Sequence, residues 1–187
     1  LTSKLQDKAR QQAELAQQRE NRAHALYRLS QALADASNRQ QVAEVAVRHI
    51  FEQFTAMSVL LFADDQNHLL YPSTEPLNCS LRNVKLSAAQ QAFESQTVNH
   101  THNHATAFYP LARSQAVLAV LAVDVKHTPI DSDPHISGFF DTFRSLIAQT
   151  LERLHFADQA KNAILQAETE ALRNALLSAI SHDLRTP

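Results

Sequence analysis

Thr106-Ala107-Phe108-Tyr109-Pro110-Leu111-Ala112, then Arg113-Ser114-Gln115, then Ala116-Val117-Leu118-Ala119-Val120-Leu121-Ala122-Val123-Asp124-Val125: two apolar runs are divided by a short polar break. That is the pattern of a β-hairpin. The second run is apolar on both faces, which predicts a central strand covered by helices or loops. Upstream, Met57–Ala63 is another short apolar run, too short for most helices, followed by Asp64-Asp65-Gln66-Asn67. A turn there and a second strand at His68–Tyr71 make a first hairpin. Residues 72–86 carry Pro72, Pro76 and Cys79 without periodicity and read as loop. Ser87-Ala88-Ala89-Gln90 then opens a short helix, to about Ser95, by the logic of a capping box.

Helices enclose these hairpins. Residues 1–34 are rich in Gln, Ala, Arg, Glu and Leu, with neither Gly nor Pro, a helical composition. The apolar stripe is thin at Leu5, Ala9 and Leu15 and firms at Leu26, Leu29 and Leu33. Residues 1–22 read as a solvated charged helix or as a coiled-coil stalk; five Lys/Arg against three Asp/Glu give slight support to a juxtamembrane position. Ser37-Asn38-Arg39-Gln40 reads as a capping box, opening a helix with Val42, Val45, Ala46, Ile50 and Phe54 on one side. Asp133 and Pro134 supply an N-cap and a first helical residue. From there Phe139/Phe140, Phe143, Leu146/Ile147, Thr150/Leu151 and Leu154 recur at helical spacing, and no proline appears before Pro187. Gly138, the single glycine, costs about 1 kcal/mol in such a helix. Unbroken to His182, the helix would be roughly 70 Å long, so its far half is expected to leave the domain.

The expected fold is α+β, an antiparallel sheet flanked by helices, with long N- and C-terminal helical extensions. The order helix, helix, hairpin, helix, hairpin, helix resembles a GAF domain. A PAS domain shares the sheet and is the alternative; GAF is preferred because helices both open and close the unit and should pack on one sheet face. Three segments are expected: a linker helix over 1–36, a GAF-like sensory domain over 37–156, and a signalling helix over 157–187 that begins a phosphoacceptor domain.

Composition excludes several classes of function. With 44% hydrophobic and 19% charged residues the chain is globular. A net charge of −2 without a basic stripe gives no case for nucleic acid. A lone cysteine, Cys79, allows no intrachain disulfide and fits a reducing compartment. Ala116–Val123, the longest apolar run, is far below the roughly 20 residues that span a bilayer. Leu1–Arg22 has no apolar block of a signal peptide, so a soluble piece is expected.

The chain ends on Ser181-His182-Asp183-Leu184-Arg185-Thr186-Pro187. An imidazole near pKa 6.5 keeps a neutral nucleophilic nitrogen at neutral pH, which suits it to accept a phosphoryl group. Leu165, Leu172, Leu176 and Ala179 lie at heptad-like spacing, interrupted by Thr169, as a dimeric four-helix bundle would need. Residues 155–164 fit the heptad poorly; a shifting coupler and ordinary irregularity both explain this. Pro187 cannot donate to the carbonyl of Asp183 and is expected to kink the helix. The heptapeptide, with Leu172–Ile180 before it, closely resembles the H-box of sensor histidine kinases of the KdpD type over residues 170–187. The likeness is looser over 20–160, where the element order matches the GAF domain preceding that H-box.

The resemblance implies roles that spacing alone does not. His182 is the phosphoacceptor; Asp183 orients the imidazole and acts as base, worth about 10²–10⁴-fold for a well-placed group. Thr186 orients water for the phosphatase reaction, and Arg185 offers charge to a phosphate or an acidic partner. No cofactor is expected in this fragment, which should be inert alone; ATP and Mg²⁺ belong to the catalytic domain of the parent kinase. The implied partners are a second copy in a homodimer, the parent's ATP-binding domain, and a response regulator of the Kdp type. The cut at Pro187 suggests a piece of a bacterial inner-membrane protein, of which this is a cytoplasmic portion answering potassium or osmotic stress.

Weaker signals remain. His100, His102 and His104 would share one side of an extended strand, where they could hold Zn²⁺ or Ni²⁺; as an exposed loop without an adjoining acid they are merely solvated. Cys79 lacks the surrounding motifs of bilin-binding GAF domains, and the other histidines read as surface or core-edge residues. Whether the domain senses a small ligand or only couples helices is open, and the rival function is a free-standing ligand-binding module with no kinase role.

Overall fold

The computed structural model describes residues 2–64, 66–70, 85–114 and 116–185. Most of the expected loop at 72–86, including Cys79, lies outside the described residues, as do Tyr71, Thr186 and Pro187. The elements are α1 (Thr2–Ala34), α2 (Arg39–Phe54), β1 (Ser58–Leu61), α3 (Leu86–Ser95), β2 (Asn99–His100), β3 (Thr106–Arg113), β4 (Ala116–Asp124) and α4 (Pro134–Asp183).

The sheet order is β1-β4-β3-β2, every pair antiparallel. β4 is central, as its doubly apolar sequence requires, and Ala119 to Val123 are fully buried. Register assigns the two faces. Val59, Leu61, Phe108, Val120 and Ala122 share one face, where Ala89 and Ala92 of α3 pack against them. Leu60, Tyr109 and Leu121 alternate onto the other. There the Tyr109 ring meets Phe140 of α4 at 5.1 Å. Phe54 at the end of α2 contacts Phe139, Phe140 and Phe143 at 5.2–5.4 Å, joining two helices into one layer. In α1, Ala25, Leu29 and Leu33 are buried. The chain is thus helix, sheet and helix in three layers, the expected α+β architecture.

Two compact units divide the chain, Leu1–Leu151 and Glu152–Pro187. The expected linker over 1–36 shares the first unit, because its last turns carry those buried residues. In the second unit residues 156–185 are all exposed.

Local structure corrects several expectations. Asn38, not Ser37, is the N-cap of α2: its side chain accepts from the Gln41 amide at 2.9 Å, and Gln41 Oε1 accepts from the Ser37 amide at 2.7 Å. The cap thus lies one residue later than expected, and the Gln41 side chain returns to the amide before the N-cap rather than to the N-cap itself. α3 begins at Leu86 behind Lys85, which makes no side-chain cap bond. Of the strand expected at 68–71, the described residues form one bridge, Ala63 with Leu69, flanked by Asp64 N–H to the His68 carbonyl and Leu70 N–H to the Phe62 carbonyl, each 2.9 Å. On the outer edge of this segment Gln90 of α3 accepts from the Leu69 amide through Oε1 at 2.9 Å and donates from Nε2 to the Asn67 carbonyl at 3.0 Å. On α2 the buried stripe is Val42, Ala46, His49, Ile50 and Phe54, so a histidine occupies a core position and Val45 is only half-buried. Asp133 caps α4 as expected, accepting from the His135 amide at 2.8 Å.

Candidate functional site

His182 lies in the last turn of α4, which closes through Leu184 N–H to the Ile180 carbonyl at 3.0 Å and Arg185 N–H to the His182 carbonyl at 3.1 Å. The side chains of His182 and Asp183 are 83% and 89% exposed, open to a reacting partner. Nδ1 of His182 and Oδ1 of Asp183 are 3.8 Å apart. That is beyond hydrogen-bonding reach, as expected for adjacent helical positions, which do not face each other. Arg185 is exposed beyond the helix end, and the expected roles of Thr186 and Pro187 fall on residues outside those described.

The heptad residues form an apolar stripe that the described chain leaves open: Leu165 is 50%, Leu172 63% and Leu176 56% exposed. Thr169, the polar interruption, donates its hydroxyl to the Leu165 carbonyl at 2.7 Å, so it needs no outside partner.

The histidine triplet does not lie along a strand. β2 ends at His100, and the chain turns at once, with the His104 amide on the Thr101 carbonyl at 2.8 Å and His104 at φ 51°. Alternation onto one side is lost, and among the described residues no three His, Cys, Asp or Glu side chains are grouped to hold a metal. What His100 meets is Asp131, whose Oδ2 lies 3.0 Å from Nε2. The hydroxyl of Tyr109 donates to the other oxygen of that carboxylate at 2.5 Å. The Arg144 guanidinium lies over the Tyr109 ring at 4.9 Å and pairs with Asp141 at 2.7 Å. Burial, then the hydrogen bond and charge of Asp131, push the Tyr109 phenol far above its ordinary range, so it stays protonated and donating. This cluster ties β2 and β3 to the segment before α4. Sequence reading missed it; the available signal was a tyrosine at a buried strand position, which needs a partner for its hydroxyl.

No protein-family model matches the chain. Sensor protein KdpD of Escherichia coli (strain K12) is 32% identical over 183 residues, covering 95% of this chain and 20% of that protein. Sensor protein KdpD of Clostridium acetobutylicum is 27% identical over 194 residues, covering 98% and 21%. The chain thus spans about a fifth of the length of these curated relatives. Among solved structures, the native GAF domain of the potassium sensor histidine kinase KdpD from Escherichia coli superposes with a TM-score of 0.65 at 25% identity, over 74% of this chain and 98% of that one. The GAF domain of an Acinetobacter phosphoenolpyruvate-protein phosphotransferase superposes with a TM-score of 0.53 at 13% identity, over 74% and 97%, a likeness of fold alone. With KdpD-like sequence along nearly its whole length, and layers that superpose on a KdpD GAF domain, this chain is a KdpD-like GAF-domain segment.

Proposed function

We propose that the chain couples a sensory GAF domain to a phosphoacceptor in a two-component sensor histidine kinase, with His182 as the acceptor. The observation that carries this reading is a single helix, α4, which buries Phe140, Phe143 and Ile147 in the domain core and bears His182 one residue before its end. The chain's only glycine, Gly138, lies inside α4, so no glycine-rich phosphate loop is available here and ATP with Mg²⁺ is assigned to another domain of the longer protein. That domain supplies the γ-phosphoryl group. A neutral ring nitrogen of His182 attacks the phosphorus as the bond to the leaving ADP oxygen breaks, and the Asp183 charge favours the developing imidazolium. Thr186 orients water when the kinase acts as a phosphatase, and Arg185 offers charge to the phosphoryl group or to an acidic response regulator. The exposed leucine stripe packs against a second copy, giving a homodimeric bundle. The longer protein is an inner-membrane sensor of potassium or osmotic state. No described helix here is long and apolar enough to cross a membrane, which fits a cytoplasmic portion.

The test is phosphorylation of the complete kinase with labelled ATP. His182→Gln is expected to abolish acid-labile labelling, a loss of more than about 100-fold for removal of the reacting group itself. Labelling of the variant at the parental level would refute the assignment.

A further inference from the structure

We infer that a cleft in the helical layer binds a small planar carboxylate, an aromatic or heteroaromatic acid. The cleft has a volume of about 370 Å³ and lies between α1, the end of α2 and the segment leading into α4. It falls wholly within the first compact unit. Since α2 and α4 cover the sheet face that carries Tyr109, it is on the opposite side of the sheet from α3.

Three observations define the ligand. Phe54, Ile130, Ile136 and Phe139 give the cleft an apolar wall, and the rings of Phe54 and Phe139 stand 5.4 Å apart at a 45° tilt. A flat ring gains both burial and aromatic contact there, in a volume within the usual range of about 300–1,000 Å³ for small-molecule sites. Arg22 is the second. It is half-buried, its guanidinium lies 5.4 Å from the Phe139 centroid, and no acid lines the cleft. Among the described residues it makes neither an ion pair nor a side-chain hydrogen bond, so its in-plane N–H donors are unspent. A guanidinium held over an aromatic ring with unspent donors can meet a carboxylate in two-point geometry, and no carboxylate of the cleft competes. The third is Thr55 at the cleft edge, which closes α2 with its amide on the Phe51 carbonyl at 2.9 Å while held at φ 53°. Glycine would serve that cap without strain. A β-branched residue in the left-handed region keeps a hydroxyl beside the cleft at a conformational cost.

This inference does not depend on the role of His182, and its test reads binding alone. The full chain contains no tryptophan, so the fluorescence of 2-naphthoate can be followed directly during titration. Saturable binding is expected, half-complete at about 1 mM or below. Arg22→Gln is expected to weaken it at least about tenfold, the loss of a charge-assisted pair. Neutral 2-naphthamide should bind both proteins equally and weakly. Arg22→Lys, which keeps the charge without the fork, serves in its place if Arg22→Gln lowers the melting temperature. Absence of saturable binding, or equal affinity in the variant, would overturn the proposal. So would sedimentation showing that Arg22→Gln dissociates a dimer, which would give the cleft to a second copy.

Discussion

At position 49 a histidine occupies the stripe of α2 that faces the core, and burial lowers its affinity for a proton. The charges of Arg28 and Arg48 push the same way, while Glu52, which pairs with Arg28 at 3.6 Å, pushes back. An unfolded chain protonates this ring near pH 6.5, whereas the folded chain resists until the pH is lower. As the pH falls through 6.5 the unfolded state therefore binds more protons, and folding stability drops. Denaturant melts between about pH 7.5 and about pH 5 should show this loss, and His49→Gln should show less of it over that window. Equal slopes in the two proteins would count against the burial argument. The alternation used to read α2 marked Val42, Ala46, Ile50 and Phe54 correctly, but it could not promote a polar residue to the core. The same limit hid Asp131. His100 lies 31 residues before it and Tyr109 lies 22 residues before it, so only the folded sheet brings one carboxylate to both.

Whole elements were more legible than their ends. The β3–β4 hairpin follows from its apolar runs, but Arg113 belongs to β3 and pairs with Ala116, and Ser114 takes the left-handed conformation at φ 54° that so tight a turn needs. At 68–70 the hairpin bonds to Phe62 and Asp64 form as the apolar run suggests, while the outward-facing Leu69 amide is taken by the Gln90 side chain of α3, a contact invisible to periodicity. Ser37 and Asn38 are nearly equivalent caps, so their order is decided by packing of the stripe behind them rather than by capping strength. Gly138 is the clearest case of an element not at its optimum. It is exposed within α4, its φ is not positive, and a Cβ built there meets nothing within 4 Å. Gly138→Ala should stabilise the chain by about 0.5–1 kcal/mol and raise the melting temperature by about 1–4 °C. No gain, or a loss, would mean that the glycine serves a contact outside this chain.

For the molecule as a whole, element order was enough to read a GAF fold that continues into a long C-terminal helix. Depth of the ligand cleft and the polar ties between sheet and α4 were not legible, since both depend on residues that meet only in three dimensions. The central proposal is mechanical: in the complete kinase, α4 would carry the state of the GAF domain to His182 through its helical phase. Helix geometry supplies the test, because one inserted residue turns everything beyond it by about 100°, whereas seven nearly restore the original phase. In the complete kinase, one residue inserted between Phe156 and Ser178 should change His182 phosphorylation severalfold, and a seven-residue insertion should leave it near the parental level. Equal phosphorylation in the two insertion variants would contradict the account.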